Sequence, residues 1–388
     1  MKMKEIKPCY NSNKKPDISS VVESTLKLID KNRILTIVIN DPQRATDSRT
    51  VINEILKHYS DRMIRILIAT GTHKFKSSEK AAFESVIMGN DKFMDIKWHN
   101  CYDKDLVEIG TGSKKWACNP WLLDDTNLLA IGSIEPHYFA GLTGAHKTIA
   151  IGCASYESIQ SNHQLAMDPL ARPFVLDGNP VYKNIMDKFN MLNSIRYILL
   201  INLIQINDKI VDIAGGDFQK SFSIIKNVEK IYLHKINKKA DLLIIDVTGI
   251  LSNSFYQAEK GIKNNEWAVR NGGYIIFKAD CRNGIGQDDF FKFLRNKYSY
   301  DSIFAEVIAN GYKLGDHKAV KLRYLTDENH RNVKVFIISS GIDRYEADIL
   351  NFIKVNTVGE VFEQIPKNKK IKNAYYIHDA ANMCVVAK

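Results

Sequence analysis

Three short apolar runs, each ending in turn residues that carry an ionisable side chain, constrain this fold most. Ile34–Asn40 (ILTIVIN) runs into Asp41-Pro42-Gln43-Arg44, Arg65–Ala69 into Thr70-Gly71-Thr72-His73-Lys74, and Leu128–Ile131 leads to Pro136-His137. Runs of this length bounded by polar residues read as buried strands, and Asp-Pro and Gly stop them. A helix is expected from a Ser48 N-cap through about His58, and another across Glu79–Met88. Strand, turn and helix recurring in that order give an α/β chain, whose ligand crevice lies off the carboxyl ends of its strands. Asp41, Arg44, His73 and His137 are the crevice candidates. Any one of them alone reads equally as a turn or surface residue; their recurrence at strand ends is the signal.

The stretch from Ile131 to His163, IGSIEPHYFAGLTGAHKTIAIGCASYESIQSNH, is the richest in chemistry. His137, Lys147 ten residues on and His163 sixteen further sit in it at fixed offsets. Gly141 and Gly144 allow close backbone approach to a bulky group, and a glycine-rich helix start offers N–H groups to an anion. Gly141 followed by Lys147-Thr148 has the outline of a P-loop. His146, however, stands where that motif needs its second glycine, so an ordinary phosphate-cradling loop is rejected.

Beyond this stretch, Gly178-Asn179-Pro180 opens a helix, Ile195–Ile206 and Ile210–Ile213 read as strands, and Asp217 caps a helix Phe218–Val228. A Lys-rich polar link, Tyr232–Lys239, precedes a second α/β pattern. It comprises a strand Asp241–Asp246, a loop Thr248–Ser254, a helix Phe255–Asn271 and a strand Tyr274–Lys278, with further elements to Gln364. On the helix, Tyr256 and Lys260 are four apart and share a face, with Gln257 beside them; an amide and a Lys at a helix start suit a carboxylate. Gly284-x-Gly286 lacks the third glycine of a dinucleotide fingerprint and is set aside.

A chain of 388 residues with 45% hydrophobic and 25% charged residues has material for two globular domains. The six Cys are scattered with no CxxC, which argues against a zinc ribbon or a disulfide framework and for a reduced, cytoplasmic setting. The N-terminal MKMKEIKPCYNSNKKPD lacks an apolar signal-peptide region, and no apolar run is long enough to span a bilayer. The net charge of +10 invites a nucleic-acid reading. The Lys residues are dispersed without an aromatic-basic stripe, though, so neither nucleic acid nor membrane is an expected partner.

Five segments in order resemble the lactate racemase family, the nickel-pincer-dependent enzymes that racemise 2-hydroxy acids. They are Asp41-Pro42-Gln43-Arg44-Ala45-Thr46, Ala69-Thr70-Gly71-Thr72-His73-Lys74, Pro136-His137, the glycine loop to Lys147 with Asn162-His163, and Tyr256-Gln257-Ala258-Glu259-Lys260. The chain departs from the family pattern at Ala45 (usually Pro), Lys74 (usually Arg) and Ala145-His146.

The resemblance implies an isomerase with two Rossmann-like α/β domains and an active-site cleft between them: residues 1–235, residues 236–370, and a C-terminal segment 371–388 returning to the first domain. It implies a nickel pyridinium-3,5-bisthiocarboxylate mononucleotide attached covalently at Lys147, with His163 as nickel ligand and Thr143 and Gly144 beside the cofactor. His73 and His137 become paired general bases, and Arg44, Tyr256, Gln257 and Lys260 bind the substrate. Asp41 either orients Arg44 or binds a cofactor hydroxyl. The implied partners are a small 2-hydroxy acid and the enzymes that make the cofactor. The residues alone leave two alternatives: a zinc-dependent hydrolase using the three His, and a nucleotide- or sugar-phosphate-binding protein without the cofactor.

Overall fold

A computed structural model of the chain describes residues 3–10, 15–112, 115–206, 208–286, 289–295, 297 and 299–387. Two six-stranded sheets dominate it. The first has the order Lys209–Gly216, Ile198–Ile206, Asn127–Ser133, Leu35–Asn40, Ile64–Ala69, Asp95–Trp98. All neighbours are parallel except the hairpin Ile198–Ile206/Lys209–Gly216. The second has the order Lys4–Ile6, Ala374–Ile377, Ala240–Asp246, Val269–Lys278, Lys334–Ile338, Ile353–Lys354, parallel throughout. The central strands are apolar on both faces, as parallel strands covered on both sides by helices must be: LTIVI and IRILIA are almost wholly buried.

Chain order explains where a ligand can sit. From Leu35–Asn40 the chain builds outward through Ile64–Ala69 to Asp95–Trp98, then crosses back to place Asn127–Ser133 on the other flank of Leu35–Asn40. The connections leave in opposite directions there and open a crevice at the carboxyl ends, the switch point at which open α/β sheets bind ligands. Asp41 and Glu135–His137 follow those two ends. The second sheet does the same between Ala240–Asp246 and Ala374–Ile377, so its crevice is bordered by residues 247–249 and 378–382. Ile134, Leu142, Ile204 and Ile206 from the first sheet's side belong to the apolar core of the second sheet, so an apolar seam joins the two crevices.

Several elements differ from the sequence expectation. Asp47, not Ser48, is the N-cap: its carboxylate accepts from the Thr50 N–H at 3.1 Å, and Ser48 opens the helix Ser48–Leu56. The expected helix Phe218–Val228 is two pieces, Phe218–Phe222 and Ile225–Tyr232. The Lys-rich link 232–239 contains a strand, Leu233–Ile236, paired in parallel with Cys384–Ala387. The helix expected over Phe255–Asn271 is Phe255–Ala258 and Lys260–Asn265, followed by a 3-10 turn and then strand from Val269. Asn265 ends it. Its side-chain N–H groups bond the Gly261 and Ala380 carbonyls at 2.8 and 2.9 Å, and its oxygen accepts from the Val385 N–H at 2.9 Å, so the amide serves the C-terminal segment instead of another turn.

That segment joins both parts of the chain: Ala374–Ile377 lies between Ala240–Asp246 and the N-terminal strand Lys4–Ile6, and Cys384–Ala387 pairs with Leu233–Ile236. A nearly fully buried apolar strand needs partners on both edges, and the chain's first strand supplies the second one. Lys388 lies outside the described residues. Among the described residues no helix is long and apolar enough to cross a membrane.

Candidate active site

After Leu35–Asn40 the chain turns through Asp41, whose carboxylate accepts from the Gln43 N–H at 2.9 Å while its carbonyl accepts from the Arg44 N–H at 3.0 Å. The turn holds Asp41 almost fully buried and brings Arg44 to the crevice. The other carboxylate oxygen lies 2.8 Å from His73 Nδ1. Asp41 therefore orients His73. A carboxylate only accepts, so Nδ1 carries the proton, and in the neutral ring Nε2 keeps its lone pair. His73 reaches this position through Gly71, at φ 55°, whose N–H donates to the Gly152 carbonyl at 2.9 Å.

His137 is built differently. Pro136-His137 pairs with Gly141-Leu142 in a two-residue ladder. The Thr143 hydroxyl pins the base of this loop, donating to the Ser133 carbonyl at 2.7 Å and accepting from the Glu135 N–H at 2.8 Å. Thr143 thus spends its hydroxyl on the loop. Nδ1 of His137 accepts from the Ala140 N–H at 3.2 Å. In the neutral ring the proton then sits on Nε2, the opposite tautomer to His73. His137 is 6% exposed, and burial, then Lys147, Arg44 and Lys260, hold its pKa well below the usual imidazole value.

The glycine loop sets Lys147. A Cβ on Gly132 would fall 2.6 Å from the Ala145 nitrogen, so only glycine lets the strand and the following helix, Ala145–Ala150, touch. At this helix start the Ala145 N–H is already taken, donating to Asn202 Oδ1 at 2.8 Å. His146 turns away from the crevice into a ring of Tyr182, Phe189, Phe218 and Phe222, and burial lowers its pKa to about 3. Lys147 faces a cavity of about 110 Å³ that it shares with Asp41, Arg44, His73, Thr143, Gly144 and His163. Burial, then the Arg44 charge, lowers its pKa to about 7, so an appreciable share of the amine is neutral and nucleophilic near neutrality. His163, on the helix Tyr156–Gln164, has its pKa lowered to about 3, chiefly by burial. It offers a neutral imidazole, the form that ligates metals.

The second sheet contributes Tyr256, Gln257 and Lys260. Lys260 Nζ donates to Gln257 Oε1 at 2.5 Å, and Gln257 Nε2 reaches Gln43 at 3.4 Å across the seam. Burial, then Arg44 and Lys318, lower the Lys260 pKa well below the usual lysine value. Two further cavities meet the first. One of about 440 Å³ is bordered by Arg44, His137 and Lys260; the other, about 930 Å³, by His73, Tyr256 and Gln257. Asp41, Arg44, His73, His137, Thr143, Gly144, Lys147, His163, Tyr256, Gln257 and Lys260 each line at least one of the three, and Arg44 and His73 are each shared by two of them.

Sequence reasoning missed the support behind His137. The Tyr138 hydroxyl is 3.0 Å from His317 Nε2, and the Tyr312 hydroxyl is 2.7 Å from His317 Nδ1. Lys318, beside it, pairs with the fully buried Glu259 at 2.8 Å and lies 4.0 Å from the Tyr256 ring centre. His317 stands 179 residues from Tyr138, beyond any local motif.

Residues 17–172 match the family model of the lactate racemase N-terminal domain, and residues 235–379 that of the lactate racemase C-terminal domain. The lactate racemase of Thermoanaerobacterium thermosaccharolyticum is 29% identical over 295 residues, 73% of this chain and 68% of that protein. The lactate racemase of Lactiplantibacillus plantarum is 27% identical over 270 residues, 66% of this chain and 62% of that protein. Among solved structures, the lactate racemase apoprotein from T. thermosaccharolyticum superposes with a TM-score of 0.82 at 24% identity, over 99% of this chain and 94% of that one. A Thermotoga maritima protein superposes with a TM-score of 0.72 at 15% identity, over 96% and 97%. At these identities the structural likenesses speak for the fold.

Proposed function

The chain belongs to the lactate racemase family and is a racemase, and from that premise we propose that it interconverts the C2 epimers of a 2-hydroxy acid with a nickel-pincer nucleotide attached at Lys147. One observation carries the reading: a lysine with a pKa near 7 and a neutral histidine line the same small cavity, next to Arg44 and His73. The donor set fits the group. Lys147 suits amide formation, His163 supplies one imidazole, and the ligand's own sulfurs would complete the nickel site. When bound, the group accepts the α-hydrogen of the substrate as a hydride and returns it. We read the two sheets as two Rossmann-like lobes, residues 1–235 and 236–370, with the reaction between them.

The residues around that cavity then divide the work. Arg44 and Lys260 hold the substrate carboxylate, Arg44 with a fork suited to both oxygens, while Gln257 fixes Lys260. His73, with Nδ1 committed to Asp41, takes the hydroxyl proton at Nε2. His137, with its proton on Nε2, hydrogen-bonds the substrate oxygen from the other side; to protonate that oxygen when the opposite epimer forms, the ring first takes a second proton at Nδ1 and gives up the Ala140 N–H, so that it passes from imidazolium to neutral imidazole. The reverse direction needs His137 to act as base, for which it must release the Ala140 N–H. A zinc hydrolase would need its three His around one point. Among the described residues no three His, Cys, Asp or Glu side chains are grouped to hold a metal.

The test is to produce the protein together with the cofactor-forming enzymes. Intact mass, nickel content and chiral chromatography of 2-hydroxy acids are then measured. An adduct, nickel and epimerisation support the proposal; zinc without an adduct, or an adduct-free protein inert toward every 2-hydroxy acid, would reject it.

A further inference from the structure

The crevice at the second sheet's switch point has no part in the chemistry above, yet it opens into the cavity of about 440 Å³ that also holds Arg44, His137 and Lys260. Part of this cavity's wall is acidic and polar. Glu135 follows the first sheet's switch-point strand, and Asp379 and Asn382 follow Ala374–Ile377 of the second. Asp379 sits at φ 48°, a backbone state a non-glycine residue adopts under constraint. Asn382 Nδ2 holds both its oxygens at 3.0 and 3.2 Å. Asn264, 1% exposed, borders the same cavity; its Nδ2 donates to the Ala381 carbonyl at 2.6 Å while its Oδ1 has no hydrogen-bond partner.

The chemistry on this part of the wall is almost all acceptor: two carboxylates and an unused amide oxygen. At roughly 30 Å³ per water-sized group, the cavity has room for far more than the six heavy atoms of lactate. An apolar tail would displace water from these acceptors and give them no partner in return. A second carboxylate would meet like charge.

Resting on the racemase reading, we propose that the substrate is a 2-hydroxy acid with a polyhydroxylated tail, whose carboxylate lies at Arg44 and Lys260 and whose distal hydroxyls donate to Glu135, Asp379 and Asn264. A tail hydroxyl donates one hydrogen bond without bringing charge. Burial raises the Asp379 pKa to about 6 against the Asn382 hydrogen bond that lowers it, so near neutrality it is mostly a carboxylate and accepts. A site built to bind hydroxyls rejects analogues that lack them far more strongly than an apolar pocket rejects an extra methylene.

The experiment compares kcat/KM of the cofactor-loaded protein for lactate, malate, 2-hydroxy-4-methylpentanoate, 4-amino-2-hydroxybutanoate and 2,3,4-trihydroxybutanoate, with C2 epimers separated by chromatography. The trihydroxy acid should exceed each of the others at least roughly tenfold. Glu135→Gln and Asp379→Asn should each pull the ratio of trihydroxy acid to lactate toward one. Preference for lactate, the apolar acid, the dicarboxylate or the amino acid overturns the proposal, as does a ratio unmoved in both variants. Equilibrium binding of the same acids, by calorimetry, separates the two readings. If the trihydroxy acid binds selectively but no acid is epimerised, the cavity assignment stands and the racemase chemistry fails. If lactate is epimerised and the trihydroxy acid neither binds nor reacts, the substrate proposal fails alone.

Discussion

His73 and His137 carry the same side chain to the same crevice, and their surroundings make them different reagents. His73 is about a quarter exposed and backed by the buried Asp41 carboxylate at 2.8 Å. His137 is buried, backed by a backbone N–H, and ringed by Lys147, Arg44 and Lys260. The first arrangement leaves a lone pair facing the crevice; the second leaves a proton. Sequence makes them look interchangeable, each an imidazole just after a strand. The hydrogen bond on the far nitrogen separates them, and residues distant in sequence supply it for His73.

The largest effect should come from the lysine both histidines serve. Lys147→Ala is expected to remove the adduct from intact-mass spectra and drop epimerisation to background; a full-occupancy adduct in that variant would move the attachment point elsewhere. Attachment should also follow pH. With a pKa of about 7, the neutral fraction of Lys147 rises as pH passes from 6 to 8, so loading in vitro should rise over that window. A loading curve still climbing steeply above pH 9 would mean an ordinary lysine.

Next come the histidines. His73→Ala and His137→Ala are each expected to lower kcat by about 10²–10⁴-fold, measured at saturating substrate with loading checked by mass. A smaller change sharpens the comparison. Asp41→Asn gives His73 a partner that can donate, turning its tautomer toward that of His137, and should cost about 10–100-fold in kcat with adduct formation intact. Unchanged kcat would show that the Asp41 contact does not set the proton's place.

How much of this was legible beforehand follows from the range of each interaction. Runs such as ILTIVIN and RILIA announce their strands because both faces are buried, and the order of motifs at their ends announces the crevice. The helix broken at Asn265 was not legible, because Asn265 makes hydrogen bonds with residues 115 or more positions away. The strand Leu233–Ile236 was hidden in a Lys-rich stretch because two of its four residues are exposed. Asp41 was legible as a site residue but not its partner. Asp379 and His317 carried no local pattern, and they arrive only through the second sheet's crossover and the seam.

The smallest effects test the silent histidine and the support. His146 is held neutral by burial first and then by the Lys147 charge, with its pKa at about 3 against 6.5 for the exposed side chain. Its folded pKa lies below the unfolded value, so below pH 6.5 the unfolded chain binds the extra proton and stability falls with pH. If the fold tolerates the ring, His146→Phe should therefore gain on the parent protein by about 2 kcal/mol between pH 7 and pH 5, at about 1.4 kcal/mol per pH unit, in urea titrations; an identical pH dependence would deny that His146 is held neutral. Tyr138→Phe takes one hydroxyl from His317 and should cost about 1–3 kcal/mol of stability, in the same titrations. A loss of epimerisation far beyond that would give the Tyr138–His317 contact a part in the reaction.

The direct test of the unequal pair is single-turnover hydride abstraction from each enantiomer of one 2-hydroxy acid, using cofactor-loaded His73→Ala and His137→Ala. With the two histidines serving opposite epimers, each variant should retain more reaction with one enantiomer than with the other, and the preferences should be opposite. If both variants favour the same enantiomer, or either reacts like the parent protein with both, the two-sided assignment is contradicted.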